Sequence, residues 1–191
     1  MSVAFAEHVG PWSVADVEAL ADAGDHARYE LLTPGVLTVS PAPGVPHQRA
    51  SRRLANLLEN AVAAAGAAAE VLEAVNVEVP GGRLTVPDIA IVEREFAATD
   101  PTKFPRGSVL AVIEIVSPGS EPQDRLIKPQ LYAETGIGVY WRLELIPKPH
   151  IIVFELRRGR FVKVVTASAG ELTVIPCPFP VELDPAELVR Q

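Results

Sequence analysis

A chain of 191 residues that is 48% hydrophobic and 21% charged has the balance of a soluble globular domain with a real core, which excludes an intrinsically disordered chain. Its formal net charge of −7 excludes a protein that coats nucleic acid through bulk electrostatics, because such affinity comes from Lys and Arg neutralising phosphates; any contact with nucleic acid must be local. A single cysteine, Cys177, leaves no intramolecular disulfide and no CxxC motif, so any bound metal must use oxygen or histidine ligands, and the chain suits a reducing cytoplasm.

The opening Met1-Ser2-Val3-Ala4 lacks the basic then apolar pattern of a secretion signal, and no stretch reaches the roughly 18 apolar residues of a membrane span. A cytoplasmic protein without a membrane anchor is expected. Ser13 can cap a helix that has Asp16 at its third position, which predicts a helix over 13–23. Two short strands follow, 28–32 and 36–40, joined as a hairpin at Thr33-Pro34-Gly35. From 46 to 65, Ala50, Leu54, Leu57, Leu58 and Val62 recur at helical spacing, while His47, Arg49, Arg52 and Arg53 load the first two turns with ionisable groups. Residues 69–79 and 83–93 are β-rich and flank Pro80-Gly81-Gly82, the pattern of a second, larger hairpin.

After a proline-punctuated loop, 109–117 is almost continuously apolar, as expected of a central strand covered on both faces. Residues 123–135 read as a helix closed by Gly136, and 139–145 as another strand. A strand, helix, strand order of this length suggests a right-handed parallel crossover. A third hairpin, 150–157 with 160–167, turns at Arg158-Gly159, and a last short strand lies near 172–175. The expectation is one domain over 1–191 of the α/β (α+β) class, a mixed sheet with helices packed on it. It divides into an N-terminal helical segment over 1–27, a core over 28–145, and a C-terminal β-hairpin and tail over 146–191.

The central strand is interrupted once, by Glu114. Alternation places this carboxylate on the face of Leu110, Val112 and Val116, where an ionised acid is costly unless a cation or hydrogen-bond donors satisfy it. A structural glutamate bonded to an arginine or to backbone amides is the plainer alternative. Asp88 is a second lone acid at the edge of a β-branched run. Pro87 before it cannot donate to a ladder, so the strand there is bulged or at an edge, aiming Asp88 into a cleft or into an ordinary turn. Two isolated acids in apolar strands are more informative together, because hard divalent cations such as Mg2+ take carboxylate oxygens. Asp124 and Lys128 share a helical face at i and i+4, as a surface ion pair would. Pro129 allows two geometries, a kinked helix or a helix that starts beside Lys128, where anions are favoured.

Taken in order, Arg28-Tyr29-Glu30-Leu31-Leu32, His47-Gln48-Arg49, Pro87-Asp88, Glu114-Ile115-Val116-Ser117-Pro118, Asp124, Lys128, Tyr132-Ala133, Gly136-Ile137 and Tyr140-Trp141 resemble the Uma-type putative restriction endonuclease family, a branch of the PD-(D/E)XK nuclease superfamily. The resemblance implies a restriction-endonuclease-like mixed β-sheet flanked by helices, with additional hairpins. It also implies metal binding by Asp88 and Glu114, and a lysine of the following helix, Lys128, in place of the strand lysine. Val116 stands where an orthodox strand carries that lysine. The pattern commonly has an acid in a Gly-Glu-Leu run where this chain has Gly35-Val36-Leu37, which leaves Glu30 as the early acid that completes the metal site, or as a plain strand glutamate facing solvent.

The implied activity is Mg2+-dependent hydrolysis of phosphodiester bonds in DNA, with Mn2+ as a substitute. Asp88, Glu114 and Lys128 would be catalytic, and His47, Arg49, Arg52, Ser117 and Asp124 would contact substrate. His47 orients a phosphate at a helix N-terminus or is merely exposed, and Tyr132, Tyr140 and Trp141 pack in the core rather than stack on bases. No GxSxG elbow, P-loop or HExxH is present, and Ser117-Pro118-Gly119-Ser120 has no evident histidine-acid partnership. The rivals are a non-catalytic scaffold that keeps the nuclease fold and a metal-dependent phosphoesterase acting on RNA or nucleotides. Apolar faces on the terminal hairpins allow a homodimer.

Overall fold

A computed structural model describes residues 8–22 and 27–190. Its first element, α1 (Val14–Asp22), begins at a reciprocal cap: Asp16 Oδ2 accepts from the Ser13 amide at 2.8 Å, and the Ser13 hydroxyl accepts from the Asp16 amide at 3.3 Å. Ala23, the last residue of the expected helix, lies outside the described residues, as do 1–7 of the N-terminal segment. Strands β1 (Arg28–Thr33) and β2 (Val36–Ser40) form the expected antiparallel hairpin. Gly35 at its turn has φ +77°, and a Cβ there would lie 2.8 Å from Pro11 Cβ, so glycine is required on both counts. The amphipathic run becomes α2 (Val45–Ala64), with proline in its first turn.

The larger hairpin expected over 69–93 proves to be two pairs in two sheets. Strands β3 (Ala69–Glu73) and β6 (Ile89–Glu93) pair with each other in a six-stranded sheet, whereas β4 (Val77–Val79) and β5 (Arg83–Thr85) pair beside β1 in a four-stranded one. The chain breaks where its residues cannot continue a ladder: Ala74 takes φ +53°, and Pro87 has no N–H to donate. Val86-Pro87-Asp88 is therefore the crossing between sheets. The short α3 (Arg94–Ala97), which periodicity does not reveal, follows β6.

β7 (Val109–Val116) lies between β6 and β8 in the six-stranded order β10-β9-β8-β7-β6-β3. Its pairing with β8 (Val139–Glu144) is parallel, as the strand, helix, strand order predicts. A bulge skips Leu110, since Ile91 pairs with Ala111 and Val92 with Val109. Leu110 accordingly packs with the core on the face opposite Glu114 rather than on the same face. Between these strands the chain winds through one wide turn, Gln123–Ile127, into α4 (Lys128–Thr135); the helical run is continuous across the join, so Lys128 does not start a helix of its own. The Lys128 amide reaches back five residues to the Gln123 carbonyl. Pro129, lacking a donor, then falls in the first turn of α4, where none is needed. Gly136, at φ +85°, ends the helix.

β9 (His150–Arg157) and β10 (Arg160–Ser168) extend the same sheet beyond β8. β11 (Thr173–Ile175) pairs with β12 (Val181–Leu183), and α5 (Pro185–Val189) closes the tail; the last two elements were not apparent from the sequence. α5 is held to α2 by Arg53, whose Nη1 donates to the carbonyls of Glu187 at 2.8 Å and Arg190 at 2.6 Å. One face of the large sheet packs against α2 and the tail, through Ile113, Trp141, Leu54 and Leu58 among others. The other packs against α4, through Val112, Tyr132 and Tyr140. The three aromatics Tyr132, Tyr140 and Trp141 are thus core residues, as expected. Among the described residues no helix is long and apolar enough to cross a membrane.

Leu54 is fully buried at the centre of the α2 interface, whereas Leu172 is 68% exposed. Leu54→Ala should cost about 2–5 kcal/mol in urea unfolding, transfer and cavity terms together, while Leu172→Ala should stay within about 0.5 kcal/mol of the parent.

Candidate functional site

Strand alternation in β7 turns Ile113 and Ile115 toward α2 and leaves Glu114 on the α4 face, 1% exposed. There α4 presents Lys128 and Tyr132, four residues apart and so on one helical face. The Tyr132 hydroxyl donates to Glu114 Oε1. Burial, together with the Glu114 charge, pushes the Tyr132 phenol well above its ordinary value, which keeps its proton available for that bond. Lys128 Nζ lies 3.1 Å from Glu114 Oε1, 2.9 Å from Glu30 Oε1 and 3.7 Å from Asp124 Oδ1. Glu30 reaches this point from β1 and also accepts from the Val86 amide at 2.8 Å, pinning the crossing between the two sheets.

Asp88, on that crossing, is satisfied from three directions. Its Oδ2 accepts from the Ile115 amide at 2.7 Å and lies 3.1 Å from His47 Nε2; its Oδ1 accepts from Arg28 Nη1 at 2.5 Å. Burial alone would raise its pKa, but hydrogen bonding and charge from His47 and Arg28 outweigh it and lower the carboxyl to about 2. Glu114 goes the other way. Burial first, then the charges of Asp124, Asp88 and Glu30, raise it well above the usual glutamate range although Lys128 opposes them. Asp124 is raised for the same reasons, burial foremost. Burial would strip the proton from Lys128, yet the carboxylates of Glu114, Glu30 and Asp124 prevail and hold the ammonium charged.

Apart from Tyr132, which lies behind Glu114, these side chains line one cavity of about 540 Å3 together with Ser117, Ser120 and the 40–44 loop. The convergence expected of Asp88, Glu114 and Lys128 is present, and Glu30, His47, Ser117 and Asp124 line the same space. Glu30 is buried rather than solvent-facing, His47 is buried rather than exposed, and the Asp124–Lys128 pair is buried rather than at the surface. Arg49 and Arg52, expected to contact substrate, are not among the residues lining the cavity, and Arg53 is spent on the C-terminal tail. Arg28 and Tyr132 were missed as site residues. The signal for each was periodicity, since Arg28 shares the β1 face of Glu30 and Tyr132 the α4 face of Lys128.

Four buried carboxylates, Glu30, Asp88, Glu114 and Asp124, face two permanent cations, Arg28 and Lys128. Positive charge is thus in short supply, and Glu114 and Asp124 are pushed upward in consequence of that and of burial. That shortage and the carboxylate oxygens suit a hard divalent cation. Mg2+ commonly takes one or two protein carboxylates and completes its shell with water and phosphate. Among the described residues no three His, Cys, Asp or Glu side chains group as a set that could hold a metal ion, so an ion held here would rest on one or two of these carboxylates.

A family model described as Uma2, putative restriction endonuclease, matches residues 14–186. Among solved structures, the chain is similar to the crystal structure of a putative nuclease belonging to DUF820 from Anabaena variabilis ATCC 29413. The TM-score is 0.65 and the identity 17%, over 84% of this chain and 89% of that one. At that identity the likeness is one of fold. No curated protein matches the chain.

Removing the cation of a buried cluster leaves its acids uncompensated. Lys128→Met should therefore cost about 3–5 kcal/mol of stability in chemical unfolding. Combined with Glu30→Gln, the loss should fall short of the sum of the two single losses, because removing one acid eases the charge left unpaired.

Proposed function

The chain belongs to the Uma2 family of putative restriction endonucleases, and from that premise we propose that it hydrolyses phosphodiester bonds in DNA at the cavity lined by Asp88, Glu114 and Lys128. The observation that carries this reading is that four buried acids and one charged lysine line a single cavity. Asp88 and Glu114 would hold a Mg2+ ion, or Mn2+ in its place. When bound, such an ion lowers the pKa of its water and offsets charge on the phosphate.

The chain's own residues supply the remainder. Lys128 keeps its proton among three acids, so it acts as a donor to a phosphate oxygen or to the attacking water rather than as a base. Its contact with Asp124, at 3.7 Å, is the loosest and the easiest to exchange for substrate. Tyr132 fixes the Glu114 carboxylate through its hydroxyl. Glu30, expected as a third ligand, already accepts from Lys128 and the Val86 amide through one oxygen, so we assign it the anchoring of Lys128. His47 sits in the first turn of α2 and lines the cavity, and we assign it a place beside a substrate phosphate. Ser117 and Asp124 border the same space.

We treat 1–191 as one nuclease-like unit, because β9 and β10 continue the sheet that carries Glu114. The reading extends to a cytoplasmic protein, which a single unpaired cysteine suits. It also extends to a homodimer for cutting both strands, supported by exposed Val162 and Val174 on the C-terminal strands and exposed Leu172 just before β11. A second reading, a binding module without catalysis, draws on the ion pairs by which Arg28 and Lys128 already compensate Asp88 and Glu114.

Nicking of supercoiled plasmid separates the two. The wild type should nick DNA only with Mg2+ or Mn2+ and lose activity to a chelator, and Asp88→Ala and Glu114→Ala should each cut at least about 100-fold more slowly. Equal rates in all three proteins would refute the assignment. Parallel assays on RNA and on nucleotide phosphoesters should show slower turnover than on DNA.

A further inference from the structure

The two oxygens of Asp88 are not equivalent. Oδ2 is held from within the protein, by the Ile115 amide at 2.7 Å and by His47 Nε2 at 3.1 Å. Oδ1 is bound by Arg28 Nη1 at 2.5 Å. Oδ1 is thus the oxygen that Asp88 has to offer a cation, and a guanidinium stands on it. A divalent ion about 2.0–2.6 Å from the same oxygen, the range for Mg2+ and Ca2+, would have to share that oxygen with the guanidinium and would be repelled by its charge. Arg28 and the ion therefore compete for Oδ1.

The two resident cations differ in how firmly they are held. Lys128 is buried, with three acids around it. The Arg28 side chain is 23% exposed, against 4% for that of Asp88, and it lines the cavity from the first residue of β1. Being partly exposed, it loses less by leaving its carboxylate for a ligand in the cavity than Lys128 would. A guanidinium is a planar fork of donors that matches the oxygens of a phosphate, and it keeps its charge wherever it goes.

We propose that Arg28 is a charge-exchange residue: it neutralises Asp88 in the free protein and passes to a phosphate of the bound nucleic acid when a divalent cation takes its place on Oδ1. The inference rests on the reading of Asp88 as a metal ligand. Its consequence is that metal and nucleic acid bind cooperatively. A phosphate that captures Arg28 frees Asp88 for the metal, and a metal on Asp88 frees Arg28 for the phosphate; by linkage the two effects are equal. The arrangement also keeps the protein poor in metal until substrate arrives.

The test is calorimetric titration of the full chain with Mn2+, alone and in the presence of a phosphorothioate DNA duplex that suppresses turnover. In the wild type the duplex should tighten Mn2+ binding by a factor within the roughly 5- to 150-fold range of coupled sites. Arg28→Gln should bind Mn2+ alone about tenfold more tightly than the wild type, since a neighbouring positive charge has been removed, and the duplex should then add little. Arg28→Lys retains the charge without the fork. It should bind Mn2+ alone as weakly as the wild type and show a reduced duplex effect, and it serves if the glutamine variant does not fold. A wild type that binds Mn2+ with no duplex effect, or an Arg28→Gln protein that binds Mn2+ no more tightly, overturns the role of Arg28 and leaves the metal site standing. Absence of Mn2+ binding in every protein, with or without DNA, removes the metal reading itself and this inference with it.

Discussion

Four carboxylates share one buried space, and the arrangement around them follows from the need to make that charge tolerable. Like charges at short range repel far more strongly in a protein interior than in water. Lys128 is placed where it serves Glu30, Glu114 and Asp124 together. Asp88 is supplied separately by an amide, an imidazole and a guanidinium. The supply is uneven: Asp88 is well provided for and its pKa is lowered to about 2, whereas Glu114 has one ammonium and one phenol and is driven upward by burial and its neighbours. The unmet demand for positive charge therefore falls on Glu114. A further cation entering the cavity would meet one acid that is fully ionised and another that lacks compensation.

The fold produces this by bringing two sheets to a common seam. Glu30 belongs to the four-stranded sheet, Glu114 to the six-stranded one, and Asp88 to the three residues that cross between them. Glu30 accepts from the Val86 amide on the crossing and Asp88 accepts from the Ile115 amide on the central strand, so the acids themselves fasten the seam. Pro87 keeps the crossing from being absorbed into either ladder. The wide turn before α4 delivers Lys128 and Tyr132 over the central strand from the same side. Removing any of these elements would leave acids buried without partners, which ties the stability of the seam to the chemistry of the cavity.

A likeness in fold at 17% identity over most of both chains shows how little of such a scaffold depends on particular side chains. Alternation in the strands and a three-to-four spacing in α2 can be met by many apolar residues. A carboxylate facing a buried ammonium cannot be replaced so freely. Function in this chain therefore has to be argued from the residues that break the apolar pattern, and those are the ones that converge.

What was legible in the sequence is what contiguous residues decide. The apolar spacing of α2, the Ser13-Asp16 cap, the turn at Gly35 and the unbroken run of β7 each announce an element because local sterics and period act over a few residues. The same logic marked Glu114 and Asp88 as acids in need of partners. Which partners they found was not legible. Arg28 and Asp88 are separated by 60 positions and Glu30 and Val86 by 56, and such meetings are set by sheet order and register, which no local pattern encodes. The division of 69–93 between two sheets, the bulge that turned Leu110 away from Glu114, and the position of Arg49 and Arg52 outside the cavity were likewise settled in three dimensions. The sequence by itself determined which charged groups would be expensive to bury; the tertiary structure alone decided which of them would compensate one another, because that depends on distances between strands far apart in the chain.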